Sequence, residues 1–198
     1  LNSPVVYSAL GALNPTLNVN PGNLADIPVS VPTGAGAIAD NCISRAKLDW
    51  DIYETSWDFT TIPLLSFTQR TDSLEASYAS LRNHWREATQ EQQRLEEENN
   101  RIFIDAYGLQ DELTPDVPLE EVTLTCNPHY RYGNNKSEEE LEALLLADTI
   151  RELVSYAVGC MFGRYSLEEP GLILANQGET IEDYLKRIPE PSFPADDD

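Results

Sequence analysis

Between Thr71 and Leu113 one set of positions steps by four and three without a break: Leu74, Tyr78, Leu81, Trp85, Ala88, Gln92, Leu95, Asn99, Ile102 and Ala106. Polar and charged residues fill most of the positions between them. This alternation is the seam of a helix lying along a partner helix. Asp72, with Glu75 three residues on, supplies a capping-box-like start. Gly108 suits the left-handed position just past the last turn, and Leu109 can fold back onto that turn. Wholly helical, the segment is roughly 50 Å long at 1.5 Å per residue. A rod of that length sets distances between other parts.

A second long helix is predicted from Glu138 to about Phe162, opened by Ser137 and Glu140 as a capping box. Its positions Ala143, Leu146, Ile150, Leu153, Ala157 and Met161 also step by three and four. They make it the expected partner of the first seam, in an antiparallel hairpin. Gln92 and Asn99 are polar positions on that seam, and either fix register or mark a partly solvated stretch. Gly159 and Gly163 have a small-xxx-small spacing that permits close packing.

The flanking pattern is shorter-ranged. Residues 1–39 contain no Lys or Arg. They predict a short helix over Val5 to Leu13, breaks at Pro15 and Pro21-Gly22, and an extended run from Ile27 to Pro32. Thr33 to Ala37 reads as a linker loop; it is Gly-rich but lacks the Lys-Ser/Thr of a P-loop. Asp40 to Phe59 predicts two short helices, the second capped by Asp49. Trp50, Tyr53, Trp57 and Phe59 are its core anchors, with a base-stacking surface as the alternative. Thr114 to Pro118 reads as a turn, Val122 to Cys126 as a short strand and Asn127 to Lys136 as a loop. A capped short helix over Thr180 to Arg187 precedes a Pro-rich acidic tail. The organisation expected is 1–39 as a linker-like segment, 40–168 as a helical spacer domain and 169–198 as the short helix and tail. The fold class is mainly α, a long antiparallel helical hairpin with short extended segments and loops.

Charge narrows the function classes. The 198 residues hold 13 basic and 34 acidic side chains, a formal net charge of -21. Such a surface repels nucleic acid and anionic membrane at long range, so a DNA contact has to be local. From Val122 to Ser137 there is no acidic residue, while Tyr130, Arg131, Tyr132, Asn134, Asn135 and Lys136 cluster. Tyr130, Arg131 and Lys136, with Arg164 as a weaker addition, are the candidate DNA-binding residues. A surface turn packed by its own tyrosines is the plainer reading of the same pattern. Three widely spaced Cys and two His without a paired motif argue against a disulfide framework or a zinc site. Free thiols fit a reducing, cytoplasmic setting. No apolar run reaches the length of a membrane span. The start lacks the positive region of a signal peptide. The chain reads as a piece of a longer protein.

Asn127-Pro128-His129-Tyr130 invites one chemical comparison. Amino-methyltransferases acting on adenine carry Asn-Pro-Pro-Tyr-like tetrapeptides at a strand end. There the Asn side chain and a backbone carbonyl accept hydrogen bonds from the target amino group, and the aromatic ring stacks on the flipped base. Here His129 replaces the second Pro, and no Gly-rich strand–loop–helix stands upstream. No catalytic residue is assigned.

Three strings carry a family resemblance. They are Asn41 to Phe59, Arg101-Ile102-Phe103-Ile104-Asp105-Ala106-Tyr107-Gly108-Leu109, and Ser155-Tyr156-Ala157-Val158-Gly159-Cys160-Met161-Phe162-Gly163-Arg164-Tyr165-Ser166-Leu167. They resemble the region after the methyltransferase core in PglX-type proteins of BREX and phage-growth-limitation systems, and in related type II restriction-modification methylases. The opening, through Leu13-Asn14-Pro15-Thr16-Leu17-Asn18 to Ile27-Pro28-Val29, is similar to the end of a target-recognition segment. The resemblance implies a parent enzyme that methylates adenine N6 in DNA from S-adenosylmethionine. It implies DNA as that parent's partner, other defence-system subunits as further partners, and no cofactor within this piece. This piece would then be a helical spacer, or an acidic module that docks partner subunits without touching DNA.

Overall fold

The computed structural model describes residues 3–14, 21–28, 30, 32–66, 72–193 and 195. The expected break at Pro15, the helix start at Thr71 and the last residues of the acidic tail lie outside them, as do Leu1, Asn2, 16–18, Val29 and Val31 from the strings above. The described residues form seven α-helices and no strand. In chain order these are α1 (Pro4–Leu13), α2 (Pro21–Ala25), α3 (Ala35–Asp51), α4 (Leu74–Tyr107), α5 (Pro128–Tyr132), α6 (Glu138–Met161) and α7 (Ile181–Arg187). Single 3-10 turns sit at Pro63–Leu65 and Leu119–Glu121.

The ends of the long helices follow local chemistry. Ser73, rather than Asp72, caps α4: its side chain accepts the Ala76 N–H at 3.1 Å. At the other end Gly108 is left-handed (φ 69°), and the Leu109 N–H reaches the Ile104 carbonyl at 3.0 Å. That closes the helix with a Schellman-type bond. Ser137 and Glu140 form the full capping box expected of α6, and Thr180 with Asp183 does the same for α7.

The packing differs from the expected hairpin. The helix that runs beside α4 is α3, a single helix where two short ones were expected. Cys42 faces Gln92, Arg45 faces Glu91, and Asp49 holds the Cys126 backbone, whose thiol faces Thr89. Numbers rise on α3 as they fall on α4, so the pair is antiparallel. Gly34, expected in a loop, opens α3 in the left-handed conformation. Helix α6 meets α4 only near the starts of both. There Arg82 forks onto Glu142 at 2.7 and 2.8 Å, and Arg86 joins at 3.0 Å. These backbones do not run side by side, so the expected α4–α6 hairpin is not the arrangement found.

Leu81, Trp85 and Leu95 on the expected seam are buried, at 1, 8 and 4% exposed. Toward the C-terminus the buried line leaves the heptad positions for Thr89, Asn100 and Ile104. A straight helix drifts about 20° per heptad against a 3.5 repeat, and α4 has several short neighbours rather than one matching coil. The α6 face is also corrected. Leu141, Leu145, Thr149, Tyr156 and Cys160 are buried, whereas Ala143, Leu146, Ala157 and Met161 face water.

The expected strand at Val122–Cys126 is instead an irregular stretch with tight turns, the Leu124 N–H reaching the Val122 carbonyl at 2.8 Å and the Asn127 N–H that of Leu124 at 3.0 Å, and it buries Val122, Leu124 and Cys126 in the core. Asp49 replaces the missing neighbour strand. Its carboxylate accepts the Thr125 N–H at 2.7 Å, the Thr125 hydroxyl at 2.6 Å and the Cys126 N–H at 3.2 Å. Upstream, residues 114–118 form a strap rather than a tight turn. Asn100 donates to the Pro115 carbonyl at 3.1 Å, and Gln93 to that of Val117 at 2.6 Å. The aromatic anchors divide: Phe59 is buried, Tyr53 partly so, and Trp50 and Trp57 are exposed.

Candidate nucleic-acid interface

The stretch from Val122 to Ser137 has two faces. Its inner face starts at Asn127, which is 0% exposed. The Asn127 amide donates to the carbonyls of Leu119 at 2.7 Å and Val122 at 2.9 Å. Its oxygen accepts the His129 N–H at 3.2 Å and so caps α5. The Asn127 side chain is thus bonded entirely within the fold.

The outer face carries the candidate DNA contacts. Tyr130 is exposed. Arg131 is partly buried and heavily partnered. It reaches Glu152 at 3.0 Å, Asp148 at 3.3 Å and the Tyr53 hydroxyl at 3.2 Å, and lies 5.6 Å from the centre of the Tyr132 ring. Burial works against its charge, but the bond to Glu152 outweighs that and holds the guanidinium above its ordinary range. Burial first, and the Asp148 bond second, push the Tyr132 phenol up. The Asp148 carboxyl is in turn held low, chiefly by Tyr132. Lys136 donates to the Tyr132 carbonyl at 2.8 Å, and among the described residues it makes no ion pair.

Arg164 lies apart from this group. It pairs with Glu54, which also accepts from the Tyr165 hydroxyl. The structure therefore brings Tyr130, Arg131 and Lys136 onto one turn and leaves Arg164 beside the turn after α3. Sequence reasoning missed the acids that neutralise the two arginines. For Arg131 a signal exists: Asp148 and Glu152, four residues apart, share one face of α6. For Glu54 and Arg164 there is none, because the partners are 110 residues apart.

The Tyr165 ring stacks on Tyr156 with centroids 4.6 Å apart and meets Phe59 edge-on. Gly159 lets it approach, since a Cβ there would stand 2.3 Å from the ring. The small residue at 159 thus serves close packing against the Tyr165 ring. Among the described residues no helix is long and apolar enough to cross a membrane.

The chain is mainly helical, and the Asn127 side chain is buried and bonded within the fold. The chain is related along its whole length to adenine-specific methyltransferases, and it is a PglX-type methylase region. It is 32% identical over 199 residues to adenine-specific methyltransferase BrxX of Escherichia coli O9:H4 (strain HS), covering 100% of this chain and 16% of that protein. It is 32% identical over 194 residues to adenine-specific methyltransferase PglX of Lacticaseibacillus casei (strain Zhang), covering 96% of this chain and 15% of that protein. The chain thus spans about a sixth of the length of the curated relatives it matches. No protein-family model matches it.

Proposed function

We propose that this chain is a non-catalytic helical spacer within an adenine-N6 DNA methyltransferase of a restriction-modification or phage-defence system, acting in the cytoplasm. DNA is the substrate of the whole enzyme and S-adenosylmethionine its methyl donor. The observation that carries the reading is Asn127: in a chain that matches methyltransferases from end to end, the Asn of its Asn-Pro-containing turn spends its amide on the fold. Among the described residues no Gly-rich loop follows a strand, which supports the same reading. The glycines at 34 and 36 open α3 behind Pro32 rather than behind a strand. The 34-residue α4 is about 51 Å long. Together with α3 it gives the module a stiff axis that can hold recognition and catalytic parts at a fixed separation. Tyr130, Arg131, Lys136 and Arg164 are its proposed points of DNA contact, with Lys136 contributing most because it is free of carboxylates.

A second reading has its own support. The net charge is -21, and both Arg131 and Arg164 are neutralised within the fold. This favours an acidic module that docks other defence subunits and leaves DNA to the rest of the enzyme. Fluorescence anisotropy of the chain with duplex DNA over a salt series separates the two. The spacer with DNA contacts predicts weak, salt-sensitive binding that disappears in the Arg131→Glu/Lys136→Glu double variant. An isotherm that stays flat at low salt removes the DNA-contact part and leaves the docking module.

A further inference from the structure

We infer that the groove between α1, α3 and α4 is a docking site for an amphipathic helix that carries a lysine or arginine on its apolar face. The groove encloses about 840 Å³, within the range of real ligand sites. Its length follows α4 from Gln92 to Tyr107. That is about 22 Å, or four helical turns. Small residues make up part of each wall, Ala9 and Ala12 on α1 and Gly36, Ala39 and Ala46 on α3, beside larger apolar ones such as Val6 and Ile43. Small residues let a helix backbone approach closely, and interaxial distance is set by the side chains at the contact.

The floor supplies the specificity. Gln92 is 5% exposed and donates to Glu96 at 2.6 Å, yet its own side-chain oxygen is buried without a partner. An unmet buried acceptor costs about 1–3 kcal/mol. Glu96 makes no ion pair among the described residues. Burial pushes its carboxyl up, and Glu121 adds to the push. The unmet Gln92 oxygen and the adjacent Glu96 carboxylate, which has no cation beside it, are met together by an ammonium or guanidinium, whereas a hydrophobic residue would leave the oxygen unmet and the carboxylate without a counter-charge.

The occupant comes from outside these residues. A second copy brings another -21 of charge and is repelled. The matched region is only 16% and 15% of the relatives' length, so most of each relative's polypeptide lies beyond it and can supply such a helix.

Cys42 lines the groove and is partly exposed, whereas Cys126 and Cys160 are buried, so one thiol reports on occupancy. The probe is a Leu/Ala helix of about 18 residues with lysines on its apolar face; its counterpart carries glutamates instead. With the lysine peptide at about ten times its Kd, alkylation of Cys42 by iodoacetamide slows roughly tenfold, because about a tenth of the grooves stay empty. Glu96→Gln weakens binding roughly tenfold, equivalent to about 1.4 kcal/mol. Ala39→Trp, which fills the groove from an exposed position, abolishes binding. Glu139→Gln, outside the groove, leaves the affinity unchanged. The proposal falls if the lysine peptide does not bind, if the glutamate peptide binds equally, or if Ala39→Trp binds like the native chain. An equal loss with Glu139→Gln also sinks it, since that marks nonspecific attraction.

Discussion

Asn127 shows how one side chain can close off a chemical role. It sits in a tetrapeptide that invites a catalytic reading, yet it makes three internal hydrogen bonds at 0% exposure. Replacing it with Ala strands the Leu119 and Val122 carbonyls and uncaps α5. Unsatisfied buried groups and a lost cap each cost of order 1–2 kcal/mol, so Asn127→Ala should lose about 2–4 kcal/mol of stability. A urea titration reads this directly, and an unshifted midpoint would show that the bonds are incidental. The Asn-Pro motif was legible in the sequence. Its burial was not, because the two carbonyls that consume it lie in and just after a 3-10 turn whose position depends on the core beneath.

At the scale of elements, caps and periods located the long helices well. Ser137 with Glu140 and Gly108 with Leu109 act as their spacing predicts. Faces were harder to read. Helix α6 carries three consecutive leucines at 144–146 and further apolar residues around its circumference, so several stripes satisfy a period of three and four. The one buried includes Thr149, which no apolar template selects. Gly159 tests this packing. A methyl group there enters a Tyr165 ring already held by Tyr156, Phe59 and Glu54. Gly159→Ala should therefore cost about 1–3 kcal/mol, the usual range for overpacking, and weaken the near-UV circular dichroism of the tyrosine stack. Native stability and an unchanged spectrum would mean the ring has room to move.

For the whole molecule, the question is whether these residues take part in methyl transfer. A spacer binds no methyl donor by itself. Calorimetric titration of the chain with S-adenosylmethionine should give only heats of dilution, and a saturable isotherm would overturn the non-catalytic reading.

The sequence by itself determined where the long helices start and stop, because caps and turns are settled by residues within a few positions of each other. It determined the acidic balance, and through the strings around Tyr107 and Tyr165 it determined the kinship. Only the tertiary structure decided that α3 rather than α6 lies along α4, which α6 stripe is covered, and that Arg131 and Arg164 each pair with acids. Those outcomes depend on partners 17 to 110 residues away in the chain. Burial and charge pairing between such distant groups are free energies of the assembled packing, and no local window of sequence contains them.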